Sequence, residues 1–291
     1  GDPGNNAAQA GKAQVGDQDA QKKFNTYISA MNMLVNSGRF AERIDYFERL
    51  NPQLKGDGKL TEMYVMNLSV DHIITKLEEA EKMGTAIPGV DEKAKALIPA
   101  LKEASAINND LNAYVQAKEY MVDGGKKGRE LAPRYVAALK AARDAHQQFS
   151  DVTQAYELQR DQAALAKLDA GSVEFHVLTV SLAARAATSA FDKISAPGAD
   201  TTAFTAALTK VAEANSTLTA FIDKAPKSGA GSLSSECQRY AGKVNSMIGE
   251  GRTFAETVKS KPDKLADDAN DFIKAFNDSV EEIGRCKVEE K

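Results

Sequence analysis

The sequence predicts an all-α protein: an elongated bundle of about eight long antiparallel helices, for which a duplicated helical unit is one interpretation. Three observations predict this fold. Alanine, leucine, lysine and acidic residues are abundant, and these side chains lose little freedom in a helix. Apolar side chains recur at intervals of three and four along most of the chain. The eight prolines fall mostly at the edges of these periodic segments.

Glycine and proline separate the helices of the first half. The breaks fall at Ser37-Gly38, from Asn51-Pro52 to Gly58, from Gly84 to Pro88-Gly89, and at Gly124-Gly125. They predict helices up to about 36, over 39–50, from 70 to 84, and over 91–122. Asp17 or Asp19 can cap the first of these helices, and Asp91 the last.

The second half follows the same logic. Its breaks fall at Ala170-Gly171-Ser172, at Pro197-Gly198, from Pro226 to Gly231, and at Lys261-Pro262. The predicted helices cover about 126–169, 172–195, 201–224, 233–259 and 263–287. Pro133 either marks the first turn of the long helix or kinks it.

Composition divides the chain into a leader and one domain. Residues 1–19 have almost no large apolar side chain, so we interpret them as a flexible leader or tether; a frayed terminus is the alternative. Residues 20–291 form a single all-helical domain. Residues 97–115 align without gaps with 204–222, which indicates repeat halves at 60–169 and 172–287. Chance similarity between alanine-rich helices is the alternative.

The charge pattern argues against binding to nucleic acid, and the hydropathy pattern argues against a membrane span. The net charge is -4, and acids and bases alternate along the chain. Binding to nucleic acid normally needs a basic stripe that neutralises phosphates, so we expect none. No run of 18 apolar residues occurs, so no span is expected to cross a membrane.

The two cysteines are placed to form a disulfide. Cys237 starts an apolar stripe on the penultimate helix, and Cys286 ends a matching stripe on the last helix. The turn near Lys261 lies about midway between them, so both thiols reach the same level of an antiparallel hairpin. We therefore predict a Cys237–Cys286 bond, which implies an oxidising compartment. Two buried free thiols in a cytosolic protein are the alternative.

Catalytic patterns are missing from the sequence. His72, His146 and His176 lie on three different predicted helices, and none has a spacing that places two metal ligands on one helical face. No phosphate-binding glycine loop or nucleophile elbow occurs. We expect no catalytic residue, no metal and no cofactor, and interpret the protein as a non-enzyme.

One interhelical turn is the candidate site for a ligand. Aromatic, acidic and basic side chains surround its glycines: Tyr114, Tyr120, Asp123, Lys126, Lys127 and Arg129. Backbone N–H groups that open the next helix can attract an anion there. The alternative is a flexible polar turn whose tyrosines pack in the core and whose charges are solvated.

Short motifs carry a resemblance to a known family. They are Lys23-Phe24-Asn25, Tyr27-Ile28, Asn32, Leu34, Tyr120-x-x-Asp123 and Gly128-x-Glu130-Leu131. Over residues 22–285 the chain resembles the YiiG-like bacterial lipoproteins, envelope proteins that carry a domain of unknown function. The resemblance implies an all-helical domain, export to the periplasm, and a lipid-bearing Cys upstream of residue 1. Membrane contact would then be made only through that anchor, with 1–19 as the spacer.

Three functional readings follow. The preferred one is a non-enzymatic envelope protein that binds or scaffolds another envelope protein or a wall component. The second is a periplasmic bundle that binds a small ligand, with the turn near Tyr120 as its entrance. The third, which we rank last, is an enzyme that uses scattered carboxylates.

Overall fold

A computed structural model describes residues 3–290, with side chains from residue 18 onward, and confirms the all-α prediction. Helices make up 77% of it. In chain order they are α1 (Pro3–Ser37), α2 (Phe40–Leu50), α3 (Asp71–Glu81), α4 (Val90–Gln116), α5 (Tyr120–Asp123), α6 (Lys126–Lys167), α7 (Val173–Asp192), α8 (Thr202–Lys224), α9 (Glu236–Ser260) and α10 (Leu265–Val280). Short 3-10 helices cover Pro52–Lys55, Pro262–Lys264 and Ile283–Arg285. Within the described range no strand forms, and an isolated antiparallel bridge joins Leu233 to Val288.

The chain divides into two compact units, Gly1–Tyr156 and Glu157–Lys291, and the border falls inside α6. Each unit has its own apolar core. In the first unit α3 contacts α1 and α4; in the second α8 contacts α7 and α9, and α9 also contacts α10. This border lies upstream of the turn between the predicted halves 60–169 and 172–287. The single domain over 20–291 and the duplicated unit stay predictions.

Aromatic pairs place α2 against α6 in the first unit. The rings of Phe40 and His146 have centroids 6.4 Å apart, and those of Phe47 and Tyr135 are 5.1 Å apart. Both pairs meet edge to face, a favourable geometry for aromatic rings. Because the start of α2 pairs with the later residue of α6, the two helices run antiparallel.

Four phenylalanines form the centre of the second unit. Phe191 lies within 4.8 Å of Phe254 and of Phe272, centroid to centroid, and Phe204 contacts the same two rings. Gly251 allows this close packing, because a Cβ there would lie 2.9 Å from a methyl group of Leu208. The rings therefore join α7, α8, α9 and α10 into one core.

The first helix begins earlier than the sequence suggested. Its backbone is helical from Pro3, upstream of the Asp17 and Asp19 caps. The side chains of 1–17 lie outside the described residues, so the leader over 1–19 stays a prediction. The break at Ser37-Gly38 is confirmed: α1 ends at Ser37, and Arg39 has a left-handed backbone with φ 47°.

Three other predicted bounds were wrong. The helix predicted over 91–122 ends at Gln116, because Lys118 adopts a φ of 53° and interrupts the helix before α5. Gly89, rather than Asp91, is the residue that precedes α4. Pro133 is not one of these wrong bounds: it lies inside α6, past its first turn, so of its two predicted roles the kink stays a prediction. The last helix ends at Val280 instead of about 287, so Cys286 lies beyond it.

Candidate functional site

The carboxylate of Asp123 is the centre of the predicted ligand turn. Its Oδ1 accepts hydrogen bonds from the Tyr114 hydroxyl and the Gly125 N–H, each at 2.8 Å, and its Oδ2 accepts the Lys127 N–H at 3.0 Å. Burial would raise the pKa of Asp123, but these bonds hold it below its usual range. The amides that open α6 therefore bind the chain's own carboxylate, in the position that an external anion would need.

The two tyrosines of this turn belong to the core. Tyr114 and Tyr120 are buried, and their rings meet edge to face with centroids 6.2 Å apart. The Lys127 ammonium lies 5.9 Å from the centre of the Tyr114 ring. Burial and the bond to Asp123 raise the pKa of Tyr114 to about 12. Four candidates thus meet in one cluster, whereas Lys126 is exposed beside it.

Arg129, the sixth candidate, extends away from that cluster. Its guanidinium donates to the backbone carbonyls of Gly124 at 3.2 Å and Gln53 at 3.1 Å, and also to that of Gly58. Its Nε is buried without an acceptor in the part of the chain that the structure describes. Arg129 therefore fastens the Pro52–Lys55 helix and the following loop to the start of α6. The ligand-binding role of the six residues stays a prediction.

A non-helical segment, residues 59–70, crosses the first unit and is called the strap here. Asparagine side chains outside the strap bond part of its backbone. The Asn51 amide exchanges two hydrogen bonds of 2.8 Å with the N–H and C=O of Tyr64. Asn108 accepts the Leu68 N–H at 2.9 Å and donates to the Met66 carbonyl at 2.8 Å. The strap is thus held as a β-strand would be, but by side chains instead of a neighbouring strand.

The glycines of the predicted ligand turn receive the strap. A Cβ on Gly125 would lie 2.3 Å from the Leu60 Cγ, and a Cβ on Gly128 would lie 3.1 Å from the Met63 sulfur. Leu60 and Met63 are both buried. The sequence identified the glycines as a feature of the turn, but no local pattern linked them to the strap.

An open cleft of about 500 Å³ lies between α2, the Pro52–Lys55 helix and α6. We call it the α2–α6 cleft. Apolar side chains form most of its lining: Phe47, Leu54, Ala132, Pro133, Val136 and Ala137. Three basic residues, one acidic residue and one amide complete it: Lys55, Arg129, Lys140, Glu48 and Asn51. Of the predicted site residues only Arg129 lines this cleft. Sequence reasoning missed the others because they come from elements far apart in the chain.

A second cleft of about 470 Å³ lies at the other end of α2, beside His146. Arg39, Glu42 and Arg143 line its rim. Arg39 and Glu42 form an ion pair at 2.6 Å, and Arg143 pairs with Asp144 at 3.1 Å. Burial lowers the pKa of His146. The cations of this cleft therefore have acidic partners, unlike those of the α2–α6 cleft.

A buried polar cluster ties α1 to the start of α4. The Asp91 Oδ1 accepts the Tyr27 hydroxyl at 2.6 Å and the Lys23 ammonium at 2.9 Å, while Oδ2 accepts the Ile87 N–H at 2.7 Å. Lys23 also donates to the Thr85 carbonyl at 2.8 Å. Burial would raise the pKa of Asp91, yet these hydrogen bonds hold it below its usual range. Both carboxylate oxygens of Asp91 therefore accept hydrogen bonds from groups of the chain itself.

The predicted disulfide is present in the second unit. Cys237 and Cys286 are bonded, with their Cα atoms 4.4 Å apart. The Ser234 N–H donates to the Lys287 carbonyl at 2.9 Å, and its hydroxyl donates to the Arg285 carbonyl at 2.7 Å. The bond therefore belongs to a set of contacts that holds residues 281–290 against the start of α9.

Glu282 is the charged part of this C-terminal attachment. It is only 3% exposed, and its Oε1 lies 3.0 Å from the Lys243 ammonium. Arg239 and Arg285 lie 3.8 Å and 3.7 Å from the same carboxylate. The hydrogen bond from Lys243 is the main cause that holds the pKa of Glu282 below its usual range.

Among the described residues there is neither a metal-ligand group nor a membrane-spanning helix. No group of three or more His, Cys, Asp or Glu side chains within residues 18–290 is arranged to hold a metal ion. No described helix is both long enough and apolar enough to cross a bilayer. The three histidines lie on α3, α6 and α7.

The fold and the sites define an all-α protein of two helical units, the second of which carries a disulfide that fastens its C-terminal segment. The profile described as "Protein of unknown function (DUF3829)" matches residues 18–285, so the chain belongs to that family. This match does not test the resemblance to YiiG-like lipoproteins. No curated protein and no solved structure matches the chain.

Proposed function

We propose that the protein is a non-enzymatic component of the bacterial cell envelope, located in the periplasm, that binds or scaffolds another envelope protein or a wall component. The Cys237–Cys286 bond is the observation that carries the proposal. Disulfides persist in oxidising compartments and are rare in the cytosol, where thiols are kept reduced. The resemblance to YiiG-like lipoproteins supports the same compartment.

The membrane attachment in this proposal is a lipid anchor. It would be carried by a Cys upstream of residue 1, as the resemblance implies, with residues 1–19 as the spacer. The composition of 1–19 supports a spacer, because this segment has almost no large apolar side chain to bury.

The proposal that the protein is not an enzyme rests on the hydrogen bonds that its carboxylates accept. Asp91, Asp123 and Glu282 are the acids with the most partners in their units, and each binds groups of its own chain. Their pKa values lie below the usual range, so they stay charged and act as acceptors at neutral pH. A general acid would need the opposite shift; Asp192 has a raised pKa, but burial is its cause and no charged partner contributes to it.

Cell fractionation tests the compartment. The native gene is expressed, cells are labelled with palmitate, and the thiols are trapped with maleimide before lysis. We expect labelled protein in the envelope fraction whose two cysteines react only after reduction. Unlabelled protein in the cytosol with two reactive thiols would contradict the proposal.

A second candidate function is binding of a small ligand in the first unit. The α2–α6 cleft favours it, because a lining of apolar side chains with a few charged groups is typical of ligand sites. Its volume, about 500 Å³, falls in the usual range for such sites. Binding of a small apolar probe that the cleft-blocking variant Ala137→Trp abolishes would support it.

A further inference from the structure

The cations of the α2–α6 cleft have no acidic partner. Lys55, Arg129 and Lys140 line it, and none forms an ion pair with any described residue. Arg129 donates only to backbone carbonyls, which leave its charge uncompensated. Elsewhere on the surface several bases do pair with acids, as Lys102 does with Glu78 at 2.7 Å. The positive charge of this cleft is therefore not neutralised by an ion pair within the described chain.

This positive charge is local. The whole chain has a net charge of -4, whereas the cleft is lined by three bases and one acid, Glu48. Apolar walls beside a charge reduce the screening by water, so an anion bound there would be attracted more strongly than at a flat surface. The charge therefore favours an anionic ligand over a neutral or cationic one.

The cations lie at the ends of an apolar floor. Arg129, Pro133, Val136, Ala137 and Lys140 recur at three- and four-residue spacing, so they share one face of α6. At 1.5 Å per residue this face is about 16 Å long. Lys55 follows Gln53, whose carbonyl binds Arg129, and so belongs to the Arg129 end. An elongated apolar group fits the floor, and a charged head fits either end.

We infer that the α2–α6 cleft binds an anionic amphiphile, a molecule with an apolar chain and a carboxylate or phosphate head. This inference rests on the small-ligand function proposed above and specifies its ligand class. The apolar chain covers Val136 and Ala137, and the head is held by the ammonium groups of Lys55 or Lys140. A free amphiphile and a lipid of an anionic bilayer share this chemistry.

Calorimetric titration with four probes of equal chain length tests the head group. Decanoate and decyl phosphate carry anionic heads, decanol a neutral one, and decyltrimethylammonium a cationic one, all used below their micelle concentrations. We expect the two anions to bind at least ten-fold more tightly than decanol, and the cation most weakly. Equal affinity for decanoate and decanol would overturn the inference while leaving the small-ligand function intact.

Charge variants test the site. Lys55→Gln combined with Lys140→Gln removes two cations without touching Arg129, which holds the loop. We expect decanoate affinity to fall at least ten-fold. Lys95→Gln combined with Lys210→Gln changes the net charge equally at exposed positions outside the cleft, and should leave affinity within two-fold. An equal loss in both double variants would overturn the site, because it would indicate attraction by net charge alone.

A blocked cleft and a vesicle assay complete the test. Ala137 is exposed on the floor, so Ala137→Trp should fill the cleft and abolish decanoate binding while circular dichroism stays unchanged. Phosphatidylglycerol vesicles that bind the wild type but not the Lys55/Lys140 variant would identify a bilayer lipid; decanoate binding without vesicle binding would identify a free amphiphile. No binding of any probe would refute both the inference and the small-ligand function, whereas the envelope proposal is judged by fractionation.

Discussion

Leu60 lies directly over Gly125: a Cβ on that glycine would stand 2.3 Å from the Leu60 Cγ atom. Gly125 also has a φ of 98°, which side-chain-bearing residues rarely adopt. The first buried side chain of the strap therefore occupies space that any residue other than glycine would fill. The turn that the sequence indicated as a ligand entrance thus also receives the strap.

The contact between Leu60 and Gly125 predicts that alanine substitutions at two adjacent glycines differ widely in their effect on stability. Gly125→Ala should lower the free energy of unfolding by about 3 kcal/mol, because it adds both a clash and backbone strain. Gly124→Ala is the control: its φ is also positive, at 70°, but apart from its chain neighbours no described residue comes within 4 Å of its Cβ position. That variant should cost about 1 kcal/mol. Urea unfolding measures both, and equal losses would contradict the contact between Leu60 and Gly125.

The strap also depends on Asn108. Asn108→Ala should cost about 3 kcal/mol, because it leaves the buried Leu68 N–H and the part-buried Met66 C=O without their partner. Asn215, the aligned residue in the second unit, is equally buried, but its Oδ1 accepts no hydrogen bond from any described residue. Asn215→Ala should therefore cost less, about 1 kcal/mol. Amide hydrogen exchange at residues 60–68 should become faster in Asn108→Ala but not in Asn215→Ala. Unchanged exchange in Asn108→Ala would argue against the role of Asn108 in holding the strap.

The Asp91 cluster predicts acid sensitivity. The pKa of the Asp91 carboxyl is lower in the folded chain than in the unfolded one, because Tyr27, Ile87 and Lys23 bind its charged form. Its contribution is fully present above about pH 5 and is lost as the pH falls through about 4 toward the folded pKa. Asp91→Asn should be less stable at pH 7 and should lose less stability between pH 5 and 2. Asp110→Asn, at an exposed position, is the control. Urea unfolding between pH 5 and 2 gives the free energy of unfolding of each variant. If that free energy falls as steeply with pH in Asp91→Asn as in the wild type, the prediction is contradicted.

Reduction of the disulfide should loosen the C-terminal segment first. The chain-entropy model assigns about 4 kcal/mol to a closed loop of this size. The double variant Cys237→Ser/Cys286→Ser should melt at a lower temperature and exchange faster at 281–290, with most helix content kept. The helix content persists because the apolar core of α9 and α10 remains. An unchanged melting temperature, or two reactive thiols in unfolded, unreduced protein, would refute the bond.

Much of the fold followed from local patterns in the sequence. Ser172 was expected at the start of a helix, and its hydroxyl accepts the Phe175 N–H at 3.2 Å as a cap. The spacing of Cys237 and Cys286 about the Lys261 turn predicted their bond, which is present although Cys286 lies beyond α10. These features depend on residues near in sequence or on one hairpin, where periodicity and turns decide the geometry.

Other features arose only from tertiary contacts. The end of α10 at Val280 accompanies burial of Glu282 beside Lys243 of α9, a partner that no pattern near Glu282 indicates. The strap keeps a non-helical backbone because Asn51 and Asn108, which lie outside it, bond its N–H and C=O groups.

The sequence by itself determined the helices, their breaks and the cysteine pair, because these depend on propensity, periodicity and hairpin spacing. The tertiary structure decided that Asp123 fills the anion position of its own turn and that Gly125 receives Leu60. It also brought Lys55 and Lys140 to one cleft. The physical reason is that the hydrogen bonds and apolar contacts responsible join residues of separate elements, and their positions are set only when those elements pack together.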